Sequence, residues 1–239
     1  MYLAIDTSTR FAGVALWKEG RLQAALSWHS LENHTRELMP AIEHLLQRTS
    51  AGLAEVRGIA LAAGPGGFSA LRVGMSVAKG LALAQGIPLV SVSTLEAEAY
   101  PYAGVGLPVC SLIPAGRTEV ATASFGRLRT SSFQSRTAGW RRLKEERLLT
   151  IADLAASVTR RTLFCGEAAP QAAGTLGQLL GARAVVIQEH VPSLRLWALA
   201  RLGAARLERG ESEDIATLQP LYLRHPSITP PKAVQPVKQ

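Results

Sequence analysis

The sequence predicts an α/β protein built of two similar halves, each a mixed β-sheet flanked by helices. Three observations carry that expectation. A chain of 239 residues is long enough for one large or two small domains. Apolar residues make up 47% and charged residues 18%, so a sizeable core is available and global disorder is not expected. Strand and helix patterns run βββαβαβα from residue 2 to residue 100. The same order returns from Val109, although no repeat is visible residue by residue.

The first half opens with Tyr2 to Asp6, a short apolar run read as a buried strand. Gly13 to Trp17 is a second strand, Lys18-Glu19-Gly20 is turn chemistry, and Arg21 to Trp28 completes a meander. Asn33 is placed to cap a helix that runs to about Arg48, with Leu38, Ile42, Leu45 and Leu46 on one face. Pro40 lies inside it and is expected to kink it or leave one carbonyl unpaired. Val56 to Ala62 is the next buried strand. Gly64-Pro65-Gly66-Gly67 then leads into a long helix from Ser69 to about Gln85. Gly86-Ile87-Pro88 turns the chain into a strand at Leu89 to Val92, and Ser93 or Thr94 caps a helix through about Tyr100.

Tyr100 to Pro108 is rich in proline and glycine and reads as a linker. Val109 to Ile113, Glu119 to Phe125 and Ser131 to Ser135 read as a second meander. Ile151 to Val158 is helical, Thr162 to Cys165 a strand, Gln171 to Leu180 a helix and Ala184 to Ile187 a strand. Ser193 to Arg209 is an amphipathic helix with Leu196, Leu199, Ala200, Gly203 and Leu207 on one face. The expected division is residues 1–104, residues 105–224 and a proline-rich tail, 225–239, that is extended or disordered.

Composition removes several function classes. Cys110 and Cys165 stand 55 residues apart and form no CxxC pair, so a disulfide scaffold and a four-thiolate zinc site are out. None of the five histidines forms HxxxH or HExxH, and no GxSxG elbow supports a hydrolase triad. The apolar stretch Val73 to Val92 carries Lys79, three glycines and a Gly86-Ile87-Pro88 breaker, so it is not read as a membrane span. No signal peptide is read at the N-terminus, because Asp6 ends the first apolar run. A cytoplasmic protein with no membrane partner is expected.

The formal net charge is +8, and it is uneven. Residues 117–161 hold 10 basic and 4 acidic groups, and nine of those cations are arginine. Arginine forks match phosphate oxygens in pairs. Arg127, Arg129, Arg136, Arg141, Arg142 and Arg147 are interleaved with Phe125, Phe133 and Trp140, which could stack bases. Arg127, Arg129, Arg141 and Arg142 are therefore candidate RNA contacts. A solvated surface with its aromatics in the core is the ordinary alternative.

The strongest local motif is Gly64-Pro65-Gly66-Gly67-Phe68-Ser69-Ala70-Leu71-Arg72-Val73-Gly74. A glycine-rich turn before a helix exposes N–H groups that suit an anion. Neither GxxxxGK[ST] nor GxGxxG is present, so a tight packing turn remains the alternative. Asp6 at a strand end, beside Thr7, Ser8 and Thr9, could orient a metal-bound phosphate or simply bond the turn that follows. Asp6, Gly64, Gly66, Gly67 and Ser69 are thus the cofactor-binding candidates. The long helix carries a ridge of Ala70, Gly74, Ala78 and Ala82, spaced so that another helix can approach closely.

Taken in order, several motifs resemble the bacterial TsaB (YeaZ-like) family. They are Ala4-Ile5-Asp6-Thr7-Ser8-Thr9, Asn33-His34-Thr35-Arg36-Glu37-Leu38-Met39-Pro40-Ala41-Ile42 and the Gly64–Gly74 loop. Gly80-Leu81-Ala82-Leu83 with Gly86-Ile87-Pro88, Val92-Ser93-Thr94-Leu95 and Pro220-Leu221-Tyr222-Leu223-Arg224 follow. The resemblance is strong over about residues 2–100, thin from 110 to 215, and returns at 220–224.

The resemblance implies an actin/Hsp70/sugar-kinase-like (ASKHA) fold of two RNase-H-like lobes. It implies a dimerisation and scaffolding role beside a TsaD-like transferase. With a TsaE-like ATPase, that complex places threonylcarbamoyl on N6 of adenosine 37 in tRNAs reading ANN codons. Under this reading the chain is no enzyme, needs no cofactor or metal of its own, meets tRNA through the complex and forms a homodimer when alone. The catalytic relative carries two metal-binding histidines in a His-His-Met-Glu-Gly-His segment, and Thr94 and Glu98 stand at those positions here. A hydroxyl and one carboxylate do not replace two imidazoles for a borderline metal. The second lobe opens with Ile113-Pro114-Ala115-Gly116-Arg117 where the family often has Ile-Asp-Ala-Arg, so a carboxylate is missing there. The resemblance places the partner interface on the two helices around His34–Arg48 and Ser69–Ala84, with His34, Leu38, Leu45, Leu71, Gly74, Ala78 and Ala82 as its candidate residues. The competing readings are an ATP-dependent phosphotransferase of the same superfold, resting on Asp6 and the glycine loop, and a glycoprotease-like metalloenzyme.

Overall fold

A computed structural model describes residues 1–31, 33–127 and 139–223. In the first half, β1 (Tyr2–Asp6), β2 (Phe11–Lys18) and β3 (Arg21–His29) form an antiparallel meander. β4 (Ile59–Ala62) and β5 (Leu89–Val92) add in parallel beside β1, giving the order β3-β2-β1-β4-β5. In the second half, β6 (Val109–Pro114), β7 (Glu119–Arg127) and β8 (Trp140–Thr150) form the meander. β9 (Thr162–Cys165) and β10 (Ala184–Val186) lie parallel beside β6, in the order β10-β9-β6-β7-β8. The two five-stranded sheets share one topology, as the repeated element order predicts.

The first sheet has two chemically different faces, and these sort the helices. Leu3, Ile5, Val14, Leu16, Ile59 and Leu61 point to one face. There they meet Leu38, Ile42 and Leu45 of α1 (His34–Arg48) and Met75, Ala78 and Ala82 of α2 (Phe68–Gln85). Successive strand residues point to opposite sides, so the other face carries Ala4, Ala15, Ala60 and Ala62. The helix after β10, α6 (Pro192–Glu208), lies on this face through Leu196, Leu199, Ala200 and Leu207. It sits close: a Cβ on Gly203 would run into that of Ala60, and one on Gly13 would come within 2.7 Å of Leu196 Cδ2.

The sequence reading grouped this helix with residues 105–224. Its shared apolar face is as expected, but it covers the first sheet. α3 (Thr94–Ala99) makes the reciprocal exchange, with Leu95 and Ala99 against Val109, Ile113, Ala121 and Phe125 of the second sheet. The two exchanged helices meet between the sheets. The outer face of the second sheet takes α4 (Ile151–Ala156) and α5 (Ala169–Leu180) through Leu154, Leu176 and Leu180.

Beyond α6 the chain runs back over the open edge of β5. Glu213 N–H donates to the Leu89 carbonyl at 2.7 Å, Ser91 Oγ–H donates to the Glu213 carboxylate at 2.7 Å, and Leu221 N–H donates to the Ala63 carbonyl at 2.7 Å. An edge strand left bare would template pairing with another chain.

Local differences from the sequence reading have simple causes. The charged stretch 140–150 is the strand β8, with most of its cations in water. The strand expected at Ser131 to Ser135 and the tail 225–239 lie outside the described residues. Leu53–Glu55 form a 3-10 turn, so β4 begins only at Ile59. α1 runs through an exposed Pro40. Asn33 accepts from Arg36 and Glu37 with its backbone carbonyl and makes no side-chain cap, whereas Ser93 Oγ accepts from Glu96 N–H at 3.3 Å and caps α3. Among the described residues, no helix is long and apolar enough to cross a membrane.

Candidate functional site

β1 ends at Asp6, and the turn after it, Thr7-Ser8-Thr9, is buried. Asp6 Oδ1 accepts from Ser8 N–H at 2.9 Å and from its hydroxyl at 2.6 Å. This is the local bond that an aspartate offers a turn. The second oxygen, Oδ2, accepts from Arg195 Nε of α6 at 2.7 Å. Arg195 Nη1 donates to Glu98 Oε1 of α3 at 2.8 Å, and Nη2 donates to Thr9 Oγ1 at 3.1 Å and to the Phe11 carbonyl at 2.6 Å. From the second half, Glu167 Oε2 stands 3.9 Å from Nη1, and His190 Nε2 lies 3.0 Å from the same Glu98 oxygen. One planar fork therefore ties β1, the start of β2, α3 and α6 together, with Glu167 beside it.

Arg195 is 1% exposed, and Asp6 and Glu98 are 1% and 4% exposed. Burial alone would pull the guanidinium pKa down, but Asp6 and Glu98 outweigh it and raise it above its ordinary value. A charge in the interior is tolerated only when it is paired and hydrogen-bonded. Here each nitrogen of the guanidinium has a partner.

This cluster absorbs several candidates. Asp6 is committed to Arg195 and Ser8. Glu98 is shared by Arg195 and His190, and Thr94 is fully buried with its N–H on the Gly64 carbonyl at 2.8 Å. Among the described residues no three His, Cys, Asp or Glu side chains are grouped to hold a metal ion. The glycine loop is used for close packing. Gly64 has φ +111°, and a Cβ there would meet the Leu221 carbonyl oxygen at 2.7 Å. A Cβ on Gly66 would run into the Ser8 carbonyl, and Gly67 N–H donates to that same carbonyl at 2.8 Å. Ser69 is exposed on the first turn of α2. The structure thus gives Asp6 and Gly66–Gly67 intramolecular partners that a phosphotransferase would have to release.

The candidate interface residues need a correction. Leu38, Leu71, Ala78 and Ala82 are at most 1% exposed, Leu45 is 3% exposed, and Gly74 packs on Thr7 Oγ1. His34 is buried, with Nε2 3.1 Å from the Thr9 carbonyl. The face they define is the inward one: Leu38, Leu45, Ala78 and Ala82 pack against the chain's own first sheet, Gly74 against Thr7 and His34 against Thr9. The outward residues of α1 and α2 include Met39, Pro40, Ser76, Gly80, Leu83 and Ala84 among charged and polar ones such as Arg36, Glu43, Arg48 and Arg72.

Three of the four candidate RNA contacts, Arg127, Arg141 and Arg142, lie together where the end of β7 meets the start of β8. Arg127 and Arg141 are exposed near the adjoining ends of β7 and β8. Arg142 is paired with Glu145 at 3.1 Å and Glu146 at 2.8 Å. Arg129, with Phe133 and Arg136, lies outside the described residues. Phe125 is buried and stacked on Trp140 at 5.7 Å, so neither ring is offered to a base in the way proposed.

Sequence reasoning missed Arg195, Glu167 and His190. Arg195 had a signal: it lies four residues before Leu199, inside the apolar stripe of its helix. A charged residue in such a stripe is a buried one with partners. Nothing in the sequence marked Glu167 or His190.

Fold and cluster define a two-lobed α/β protein of the ASKHA type, with the centre between the lobes filled by its own ion pairs. Residues 29–160 match the family model described as TsaD, tRNA N6-adenosine threonylcarbamoyltransferase. The chain is 38% identical over 93 residues to the Escherichia coli (strain K12) protein named tRNA threonylcarbamoyladenosine biosynthesis protein TsaB, a match that covers 39% of this chain and 40% of that one. It is 29% identical over 227 residues to the Bacillus subtilis (strain 168) protein of the same name, covering 93% of each. Among solved structures it resembles YeaZ from Pseudomonas aeruginosa, with a TM-score of 0.73 and 26% identity over 93% of this chain and 99% of the other. The chain belongs to the TsaD family as that model defines it, and within it to the TsaB (YeaZ-like) group.

Proposed function

We propose that this chain acts in the formation of N6-threonylcarbamoyladenosine in tRNA as a non-catalytic partner of a TsaD-type transferase subunit. The observation that carries this reading is Arg195. Its guanidinium is hydrogen-bonded to both Asp6 and Glu98, the carboxylates that a cation or phosphate chemistry at this centre would need. Glu98 also stands where the resemblance sets one of the relative's metal-binding histidines. A side chain already on both carboxylates leaves recognition as the chain's contribution. The resemblance adds adenosine 37 as the target and a TsaE-type ATPase as the third component, in the cytoplasm. The two lobes are taken as residues 1–104 and 105–224, with α3 and α6 exchanged between them.

The docking surface is the outward face of α1 and α2. Met39 is 45% exposed and Leu83 68% exposed, and Ser76, Gly80 and Ala84 beside them are small. Small side chains let a partner helix come toward the short end of the usual ~8–10 Å interaxial range. The same face serves for self-association when the chain is alone.

The test is reconstitution with a purified TsaD-type subunit and TsaE-type ATPase, reading association by sedimentation and the modified nucleoside by chromatography. The chain alone is expected to form no product, and the mixture to form it. Leu83→Arg should weaken association by about 10-fold or more while leaving the melting temperature unchanged. Turnover by the chain alone, or wild-type assembly by both Leu83→Arg and Met39→Glu, contradicts the proposal.

A further inference from the structure

A second polar feature lies on the outside of the exchanged helix, away from the buried arginine. A pocket of about 230 Å³ opens between the segment after α3, the outer face of α6 and the end of β7. Its walls include Tyr100, Val105, Arg127, Trp197 and Arg201. Ligand sites usually run from ~300 to 1,000 Å³. This one lies below that range, so it takes one ring system and leaves the rest of a ligand at its mouth.

The lining has a definite chemistry. Arg201 Nε donates to the Tyr100 hydroxyl at 3.0 Å, and this holds the guanidinium in place. Its two Nη groups have no hydrogen-bond partner among the described residues. The guanidinium carbon stands 5.9 Å from the Trp197 ring centroid. Trp197 is half-buried, tilted 30° to Tyr100, and its indole N–H meets no protein acceptor among the described residues. Arg127 at the rim belongs to the segment 117–161 that holds most of the chain's positive charge. The pocket thus offers a half-buried indole with Tyr100 and Arg201 beside it, a guanidinium 5.9 Å from the ring centroid with both Nη groups available, and an unused N–H donor.

We propose that this pocket binds a single nucleotide, its base against Trp197 and its phosphate on Arg201. An aromatic face accepts any base by stacking. A guanidinium with both ends available matches phosphate oxygens in pairs. Free mononucleotides and unpaired nucleotides of RNA share this chemistry. The inference stands apart from the docking surface on α1 and α2 and does not depend on it.

The test is titration calorimetry of the full chain with AMP, adenosine, ribose 5-phosphate and a single-stranded oligoadenylate. AMP is expected to bind at least ~10-fold more tightly than adenosine or ribose 5-phosphate, since stacking and ion pairing act together. Arg201→Ala should weaken AMP about 10-fold and leave adenosine within about 2-fold. Val105→Glu, at a position 45% exposed on the rim, should abolish both without perturbing the fold. Displacement of AMP by the oligonucleotide, weakening steeply with salt, identifies RNA as the source. AMP binding that the oligonucleotide leaves untouched identifies a free nucleotide. Saturation by neither AMP nor oligonucleotide, or binding unaltered in both variants, overturns the proposal.

Discussion

The two lobes share a backbone plan and differ in what they place at its ends. In each, the second parallel-side strand, β4 or β9, is followed by a glycine at positive φ, Gly64 at +111° and Gly166 at +97°. A Cβ at either would meet a backbone carbonyl oxygen, that of Leu221 at 2.7 Å or of Leu112 at 2.5 Å. The turn is thus the same device used twice. The chemistry around it is not. β1 ends in Asp6, which Arg195 holds, whereas β6 ends in Pro114 and offers no carboxylate there. The second lobe contributes Glu167 instead, from the residue after Gly166. Topology fixes where a side chain can be aimed into the centre, and the side chain chosen decides what the centre can do.

The helix layers differ as well. The first sheet is covered by helices of 15, 18 and 17 residues, and the outer face of the second by helices of 6 and 12. Because α6 follows the second lobe's strands in sequence, the first lobe is complete only when α6 is in place.

Removing the shared charge should have the largest effect. Arg195→Met leaves Asp6 and Glu98 buried without their counterion, and breaking such a pair costs about 3–5 kcal/mol. Urea unfolding at neutral pH should show that loss, and a change below 1 kcal/mol would mean that the ion pairs are not the tie between the lobes. Next in size is a glycine test with opposite signs in the two layers. Gly203→Ala drives a methyl into Ala60 under α6 and should cost about 1–3 kcal/mol. Gly174→Ala in α5 has open space and should stabilise by about 0.5–1 kcal/mol. Equal signs would say that α6 does not lie closely on the alanine face.

The thiols, both in the second lobe, give a kinetic readout of opening rather than a stability difference. Burial raises the pKa of Cys110 and Cys165, which disfavours their reactive thiolates. Labelling by a thiol reagent at pH 8 should be slowed by on the order of 10³-fold relative to the chain in urea, as expected for sites opened only by unfolding. Rapid labelling in buffer would show the second lobe opening without global unfolding.

Much of the fold was legible in the sequence because strand patterns and glycine turns are local. Tyr2–Asp6, Leu89–Val92 and Thr162–Cys165 could be bounded directly, since short apolar runs between breakers have one good reading. β8 was not legible, because Trp-Arg-Arg-Leu-Lys-Glu-Glu-Arg lies in a strand whose cations stay in water while the Glu146 side chain is buried, and it carries no clean period of two. The helix faces were legible as faces, but spacing does not say which body a face meets. Leu38, Leu45 and Ala78 were read toward a partner, and they meet the chain's own sheet. The alternation of Leu3, Ala4 and Ile5, and of Ala60, Leu61 and Ala62, carried the missing information. It marks one thick and one thin face, and the thin face calls for a close helix. The central cluster was the least legible part, because its members are 189 residues apart at the extreme and only the exchange of α3 and α6 brings them together.

The most direct measurement is product formation by a reconstituted transferase complex containing Asp6→Asn, Glu98→Gln and Arg195→Met together. This triple change removes the buried charges as a set, so no unpaired charge from the triad remains to unfold the chain. If the centre between the lobes only holds the chain together, turnover stays within about 2-fold of wild type at equal assembly. A fall of about 100-fold or more with the complex still assembled would show that Asp6, Glu98 or Arg195 takes part in the chemistry.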